Sequence, residues 1–291
     1  MVAPLDYSKL EHQICSRGFA EVDFALESSY MDFAAQSWLA FLTLPEDTKK
    51  QFFINNAFEG VSDSIVGYVK SERKLDEKTG HPIGSTDNKE YFHFNRIAIN
   101  ELSTLALADD RALKFFANAT NIYMEAEKTH KRIMLAFDQE FPGLYDRFFS
   151  AKVPELYLRF LKYDFDGSDR PIAMPHYDKG AFTLALAEST PGLRLHYEGC
   201  DGNFDTTYVQ KHPRAALAFP GFQFQGVTEG SFLPTAHDVV PLSSQEGAGV
   251  RWSIVCFADY GNLDPVPYQA IHFDDDSPLG KHLASIPNWE N

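Results

Sequence analysis

After Pro154 the chain breaks into short apolar runs of strand length, and this succession restricts the possible folds more than any other feature. The runs are "ELYLRFLKYDF", "FTLALAES", "LRLHYE", "AALAFP", "TAHDVV" and "VRWSIVCFADY", separated by Gly, Pro, Asp and Ser. Segments of this length, rich in aliphatic and aromatic residues and spaced this closely, pair into a sandwich or barrel.

The first half has a different texture. A helix is expected from Leu5 to Arg17, then a short β-like "GFAEVDF", then apolar residues at helical spacing from Ser28 to Leu44. "LPEDTKKQF" starts another helix, with Pro45 in the first turn and acidic residues behind it. From Asp109 to Phe141 a long helical pattern draws its buried stripe from Leu113, Phe116, Ala117, Ile122, Met124, Met134, Leu135 and Phe137, as a scaffold helix supporting a sheet. Residues 71–90 are polar, punctuated by Gly and Pro and aperiodic, which reads as a loop that can serve as a lid. No linker, internal repeat or low-complexity tract divides the chain, so the expected organisation is one domain, mainly β with N-terminal helices.

Composition then excludes several classes of function. A formal charge of −15 repels a phosphate backbone, and no basic stripe interleaved with aromatics offsets it, so nucleic acid is not an expected partner. Cys15, Cys200 and Cys256 lie far apart, which argues against a disulfide framework or a structural zinc site and suits a reducing, cytoplasmic compartment. No stretch reaches the roughly 20 apolar residues of a membrane span. The 25 phenylalanines provide ample material for a buried core. A monomer or weak homodimer acting on a small molecule is the expectation that remains.

Three features of the β-rich half carry chemistry. In "PHYDKGAFT", His176 and Asp178 are two apart at the edge of a strand, so alternation turns an imidazole and a carboxylate to the same side. His237 follows on a later strand in "LPTAHDVV". In "VRWSIVCF", Arg251 and Ser253 share one face. Two His and one carboxylate on one side of a metal leave open coordination positions, as in non-haem iron(II) oxygenases. An Arg beside a hydroxyl is a receptor for a carboxylate. His212, in "QKHPRA", is the fallback third ligand, while His196 belongs to the next hairpin arm.

These motifs, in this order, resemble the isopenicillin N synthase-like family of iron/2-oxoglutarate oxygenases, from about Gly18 to Tyr260. "GFAEVDF" and "LPEDTKKQF" resemble its N-terminal strand and helix, and "GYVK…KEYFHF" its G-Y…K-E-x-F stretch. "LYLRFLKYDF" is similar to the strand ahead of the iron site, and "HYDKGAFTLALAESTPGLRLHYEG" to H-x-D-x-x-x-x-T…G-L-Q-V, with His237, Arg251 and Ser253 matching the closing H…R-x-S. The resemblance implies a double-stranded β-helix, a cupin-like jelly roll, flanked by helices. Residues 1–150 would be the mainly helical part, 151–262 the core carrying the iron site and 263–291 a C-terminal extension.

It also implies that His176, Asp178 and His237 hold iron(II), and that Arg251, Ser253 and Tyr163 bind 2-oxoglutarate. Dioxygen would be the second co-substrate, and the reaction a hydroxylation, desaturation or cyclisation with release of succinate and carbon dioxide. The chain departs from the family pattern at Leu161, where many members have Asn, at Asp238, where Arg often follows the distal His, and in a longer gap between His237 and Arg251. By the same resemblance Tyr68, Phe92, Phe182 and Leu193 wall the substrate pocket; separately, Arg73, Lys74, Arg159, Lys179 and Arg194 are cations that are either candidates to meet an anionic group on the substrate or ordinary surface charges and ion pairs. Two alternatives stand beside this reading: an oxidase of the same fold that consumes no 2-oxoglutarate, and a binding module that has lost turnover.

Overall fold

A computed structural model describes residues 5–55, 57, 65–71, 74–75, 82–83, 89–149, 155–165, 172–198, 204–208, 213–240, 249–259 and 278–285. The chain begins with helix α1 (Tyr7–Arg17), strand β1 (Ala20–Asp23), helices α2 (Ser28–Leu42) and α3 (Glu46–Lys50), and strands β2 (Phe53–Asn55) and β3 (Ile65–Ser71). Two short strands, β4 (Lys74–Leu75) and β5 (Pro82–Ile83), precede β6 (Lys89–Phe94), a π-helical turn at Ala98–Leu102, α4 (Ser103–Ala106), α5 (Asp110–Phe137) and α6 (Leu144–Phe149). The β-rich half supplies β7 (Glu155–Phe165), β8 (Ala173–His176), β9 (Phe182–Glu188), β10 (Leu193–Glu198), β11 (Phe204–Tyr208) and β12 (Ala215–Pro220). Helix α7 (Phe222–Val227), β13 (Ala236–Val239), β14 (Gly249–Asp259) and α8 (Pro278–Ser285) complete it.

The helices start and stop where local chemistry dictates. Asp6 caps α1 by accepting the Lys9 amide at 3.3 Å, and Gly18 ends it at φ 74°, its amide bonded to the Ile14 carbonyl. Pro45 is the N-cap of α3 rather than part of its first turn. In α5 the Asp109 carboxylate accepts the Arg111 amide at 2.8 Å. Its buried face runs through Ala112, Phe115, Ala119, Ile122, Ala126 and Ile133, together with the expected Phe116, Met134 and Phe137. Leu113, Ala117 and Met124 point outward instead, because the stripe is anchored by Phe115 and each of these lies off its 3.6-residue period. Leu135 is half-buried.

The strands assemble into an antiparallel eight-stranded sheet in the order β1-β12-β9-β14-β7-β6-β3-β2 and a four-stranded sheet in the order β11-β10-β13-β8. The span 71–90 is not loop throughout: Ser71 closes β3, β4 pairs with β5, and Lys89 opens β6. The rest of that span, and any lid it forms, lies outside the described residues.

Each face of the large sheet has its own partner. One face packs on α2 and α5 through Phe92, Phe160, Ile254, Cys256 and Phe182, in a core with Trp38, Phe41 and Phe115. The opposite face looks toward the small sheet. There Leu217 and Phe219 of β12 meet Leu195 of β10, and Leu161 and Tyr163 of β7 meet Ala173 and Val239 of the small sheet. Strand alternation therefore separates a helix-side core from the space between the sheets.

Candidate metal centre

The space between the sheets is where the iron-ligand candidates converge. In the register of β13 and β8, His237 lies directly opposite His176, and the two rings approach to 4.3 Å between centroids. Asp178, two residues on, places Oδ1 3.9 Å from His176 Nε2 and Oδ2 3.7 Å from His237 Nε2. One ligand atom from each of the three lies within 4.8 Å of the others.

Both imidazoles face the site with the same nitrogen. His176 Nδ1 is 2.8 Å from the Met174 carbonyl and His237 Nδ1 is 3.3 Å from the Thr235 carbonyl. A carbonyl only accepts, so each Nδ1 carries the proton and each Nε2 keeps its lone pair for a metal. Burial, and then the neighbouring His176, push the His237 pKa down to about 4, so its imidazole stays neutral at physiological pH. Thr183 donates its hydroxyl to Asp178 Oδ2 at 2.5 Å, orienting the carboxylate. Two imidazoles presenting Nε2 and one oriented carboxylate form a donor set suited to a divalent transition metal with open positions.

The loop that carries Asp178 is held by backbone. The amides of Phe222 and Gln223 donate to the carbonyls of Asp178 and Lys179 at 3.0 and 3.2 Å, and Gly221 donates to Ala181 at 2.9 Å. A side chain at Gly221 would place its Cβ 2.3 Å from the Gly180 carbonyl oxygen and 2.7 Å from that of Asp178. The close approach explains the glycine.

The expected anion receptor lies on the same face. Arg251 pairs with Tyr163 across β14 and β7, and Ser253 follows two residues on. Arg251 is 2% exposed, and its Nη2 donates to Glu188. Its Nε and Nη1 are buried with no partner among the described residues. Glu188 is not evident from sequence, because its facing depends on an irregularity: between Ile254 and Val255 the register slips by one, so that Val255 opposes Ala185 while Ser253 opposes Glu188. Without the extra residue, alternation would turn Glu188 toward the helices.

The expected substrate residues divide by face. Leu193 packs in the space between the sheets. Tyr68, Phe92 and Phe182 do not: Tyr68 donates to Glu90 at 2.6 Å beneath Lys49, Phe92 meets Phe41 and Phe115 edge-on, and Phe182 packs on Phe137 and Phe224. Each is one residue out of phase with the site face. Besides Tyr163, Arg251 and Ser253, positions in phase on β6, β7 and β14 include Tyr91, His93, Arg159, Leu161 and Phe257. Arg194 is on the outer side of the small sheet, paired with Asp238 at 2.9 and 2.5 Å. Lys179 lies in the Asp178 loop, while His212, Arg73 and the side chain of Lys74 lie outside the described residues.

No protein-family model matches the chain, and no curated sequence matches it significantly. Solved structures do. A full-length Neurospora crassa protein in complex with alpha-KG superposes with a TM-score of 0.67 at 18% identity, covering 89% of this chain and 80% of that one. A Caulobacter crescentus protein described as of the 2OG-Fe(II) oxygenase family gives 0.64 at 22% identity, over 87% and 81%. The Arabidopsis thaliana dioxygenase for auxin oxidation 1, as its 2-oxoglutarate complex, gives 0.64 at 15% identity, over 89% and 93%. The chain therefore shares its fold with these three proteins.

Proposed function

We propose that this chain is an iron(II)- and 2-oxoglutarate-dependent dioxygenase that oxidises a small organic molecule with release of succinate and carbon dioxide. The observation that carries the reading is the meeting of His176, Asp178 and His237, both Nε2 atoms turned to the site, on a fold whose solved examples include 2-oxoglutarate complexes. The residues fit the implied groups. His176, Asp178 and His237 would hold the metal, and Nε and Nη1 of buried Arg251, which have no partner among the described residues, fit an incoming carboxylate, with Ser253 and Tyr163 beside it.

When bound, the metal supplies a Lewis-acidic centre and the redox chemistry toward dioxygen. The chain's own share is positioning. Thr183 orients Asp178, the Met174 and Thr235 carbonyls fix the imidazole tautomers, and Arg251 anchors the far end of the co-substrate. Glu188 keeps that guanidinium in place.

We read the two facing antiparallel sheets as a double-stranded β-helix in a single domain, acting on a small molecule as a monomer or weak homodimer. The wide spacing of Cys15, Cys200 and Cys256 along the chain is the basis for placing it in a reducing compartment such as the cytoplasm. Among the described residues no helix is long and apolar enough to cross a membrane.

Anaerobic titration of the protein with iron(II) and 2-oxoglutarate tests the reading through the visible charge-transfer band of the chelate. In air, succinate release should depend on iron and fall at least ~100-fold in Asp178→Ala, which removes the one anionic ligand and with it metal affinity. A chelate band and succinate release that survive Asp178→Ala intact would refute the ligand assignment.

A further inference from the structure

Arg159 is a second guanidinium on the site face, and among the described residues no carboxylate comes within ion-pair distance of it. Its Nε–H donates to His93 Nε2 at 2.6 Å, and its guanidinium carbon lies 4.6 Å from the Phe257 ring centroid and 5.4 Å from that of Tyr91. His93 cannot neutralise it. The Nδ1 of His93 meets the Ile65 carbonyl at 3.0 Å, so that nitrogen bears the proton and Nε2 is the lone-pair acceptor of a neutral ring. Burial, and then the charge of Arg159, hold the His93 pKa well below its ordinary value.

The arrangement is built to present charge. His93 takes Nε, the two aromatic rings fix the plane, and among the described residues no hydrogen bond engages the Nη edge, which suits a planar anion. A half-buried cation is costly unless something supplies the anion.

Two intervening side chains link the position to the candidate metal centre. Phe257, on which Arg159 rests, lies directly across the strand pair from Thr183, and Thr183 holds Asp178. Such opposed side chains are roughly 5 Å apart. Arg251 is farther along: it opposes Tyr163, four residues from Arg159 on β7, or about 13 Å of strand. Two guanidiniums thus flank one metal site, each suited to its own anion.

We infer that the primary substrate is a carboxylate with an apolar or aromatic body, its carboxylate held by Arg159 and its body against Tyr91 and Phe257. This assignment rests on the oxygenase reading for its catalytic meaning. Its binding test does not.

The test uses the full chain, both metal-free and loaded anaerobically with iron(II) and 2-oxoglutarate. Benzoate, phenylacetate and hexanoate are titrated calorimetrically beside their neutral carboxamides. At least one acid should bind the wild type tenfold or more tightly than its amide. Arg159→Gln should abolish that preference, and Arg159→Lys should restore part of it, with 2-oxoglutarate affinity unchanged within twofold in both. The inference is overturned if the wild type shows no preference for acid over amide, or if the preference persists in Arg159→Gln. It is overturned equally if that variant loses tenfold in 2-oxoglutarate affinity, which would assign Arg159 to the co-substrate. A wild type that forms no iron–2-oxoglutarate band fails the oxygenase reading alone, because acid binding to the metal-free chain still reports on Arg159.

Discussion

Asp178 divides its carboxyl group between two tasks. Oδ1 is turned toward His176 at 3.9 Å, while Oδ2 takes the Thr183 hydroxyl at 2.5 Å and still lies 3.7 Å from His237. A hydrogen bond to a charged acceptor is worth about 1.5–3 kcal/mol, so Thr183 contributes to the orientation of the ligand without touching the metal. Thr183→Val keeps the shape of the side chain and removes only the donor. The expected outcome is a roughly 10- to 100-fold loss of iron(II) affinity with the fold intact, measured by anaerobic titration beside circular dichroism. An unchanged affinity would show that backbone alone orients Asp178, through the amides of Phe222 and Gln223.

At the scale of elements, β13 works on both faces. His237 looks into the site, and Asp238 looks outward, where it accepts from Arg194 on β10 and lies 3.2 Å from His196 Nε2. Thr206 and His282 continue that chain onto α8, whose Leu279 and Leu283 pack over Ala236. Burial raises the Asp238 pKa, but the bonds from Arg194 and His196 outweigh it and leave the carboxyl below its ordinary range. Removing one partner of such a pair strands the other charge. Arg194→Met should therefore cost about 3–5 kcal/mol in urea unfolding, and Arg194→Met combined with Asp238→Leu should recover most of it. If the double variant is as unstable as the single one, the pair is not the source of the loss.

The Asp at 238 is legible in the sequence as a departure, and β7, β10 and β12 form over the spans their runs define, because long apolar runs between turn residues leave little freedom. His176, Asp178 and His237 are legible as residue types in a telling order, but what brings them together is the β13–β8 register and the backbone-held loop past the end of β8. What cannot be read is phase. Tyr68, Phe92 and Phe182 are apolar enough for a pocket wall, but which side of a buried strand a residue faces depends on pairing with distant strands. Glu188 is hidden for a related reason, because a bulge in β9 is set by the register with β14.

Across the whole molecule the large sheet acts as a partition. Its helix side holds the aromatic core, in which Phe92 is fully buried and sits 5.1 Å from Phe115 and 5.7 Å from Phe41 between ring centroids. Its other side holds Tyr91, one residue earlier, beside Arg159 and His93. Two adjacent aromatic residues on β6 should therefore fail in different ways. Phe92→Ala opens a cavity in the core and should cost about 3–5 kcal/mol, a Tm drop on the order of 10 °C. Below that Tm its iron–2-oxoglutarate band and its preference for carboxylates should persist, since the altered side chain does not face the site. Tyr91→Ala should lower the Tm less and weaken the carboxylate preference, because it removes one of the two rings that fix the Arg159 plane. Calorimetric melting combined with the acid and amide titrations reads both variants. If Phe92→Ala changed ligand preference at temperatures where it is folded, stability and recognition would share one face of the sheet, and strand alternation would not be what separates them.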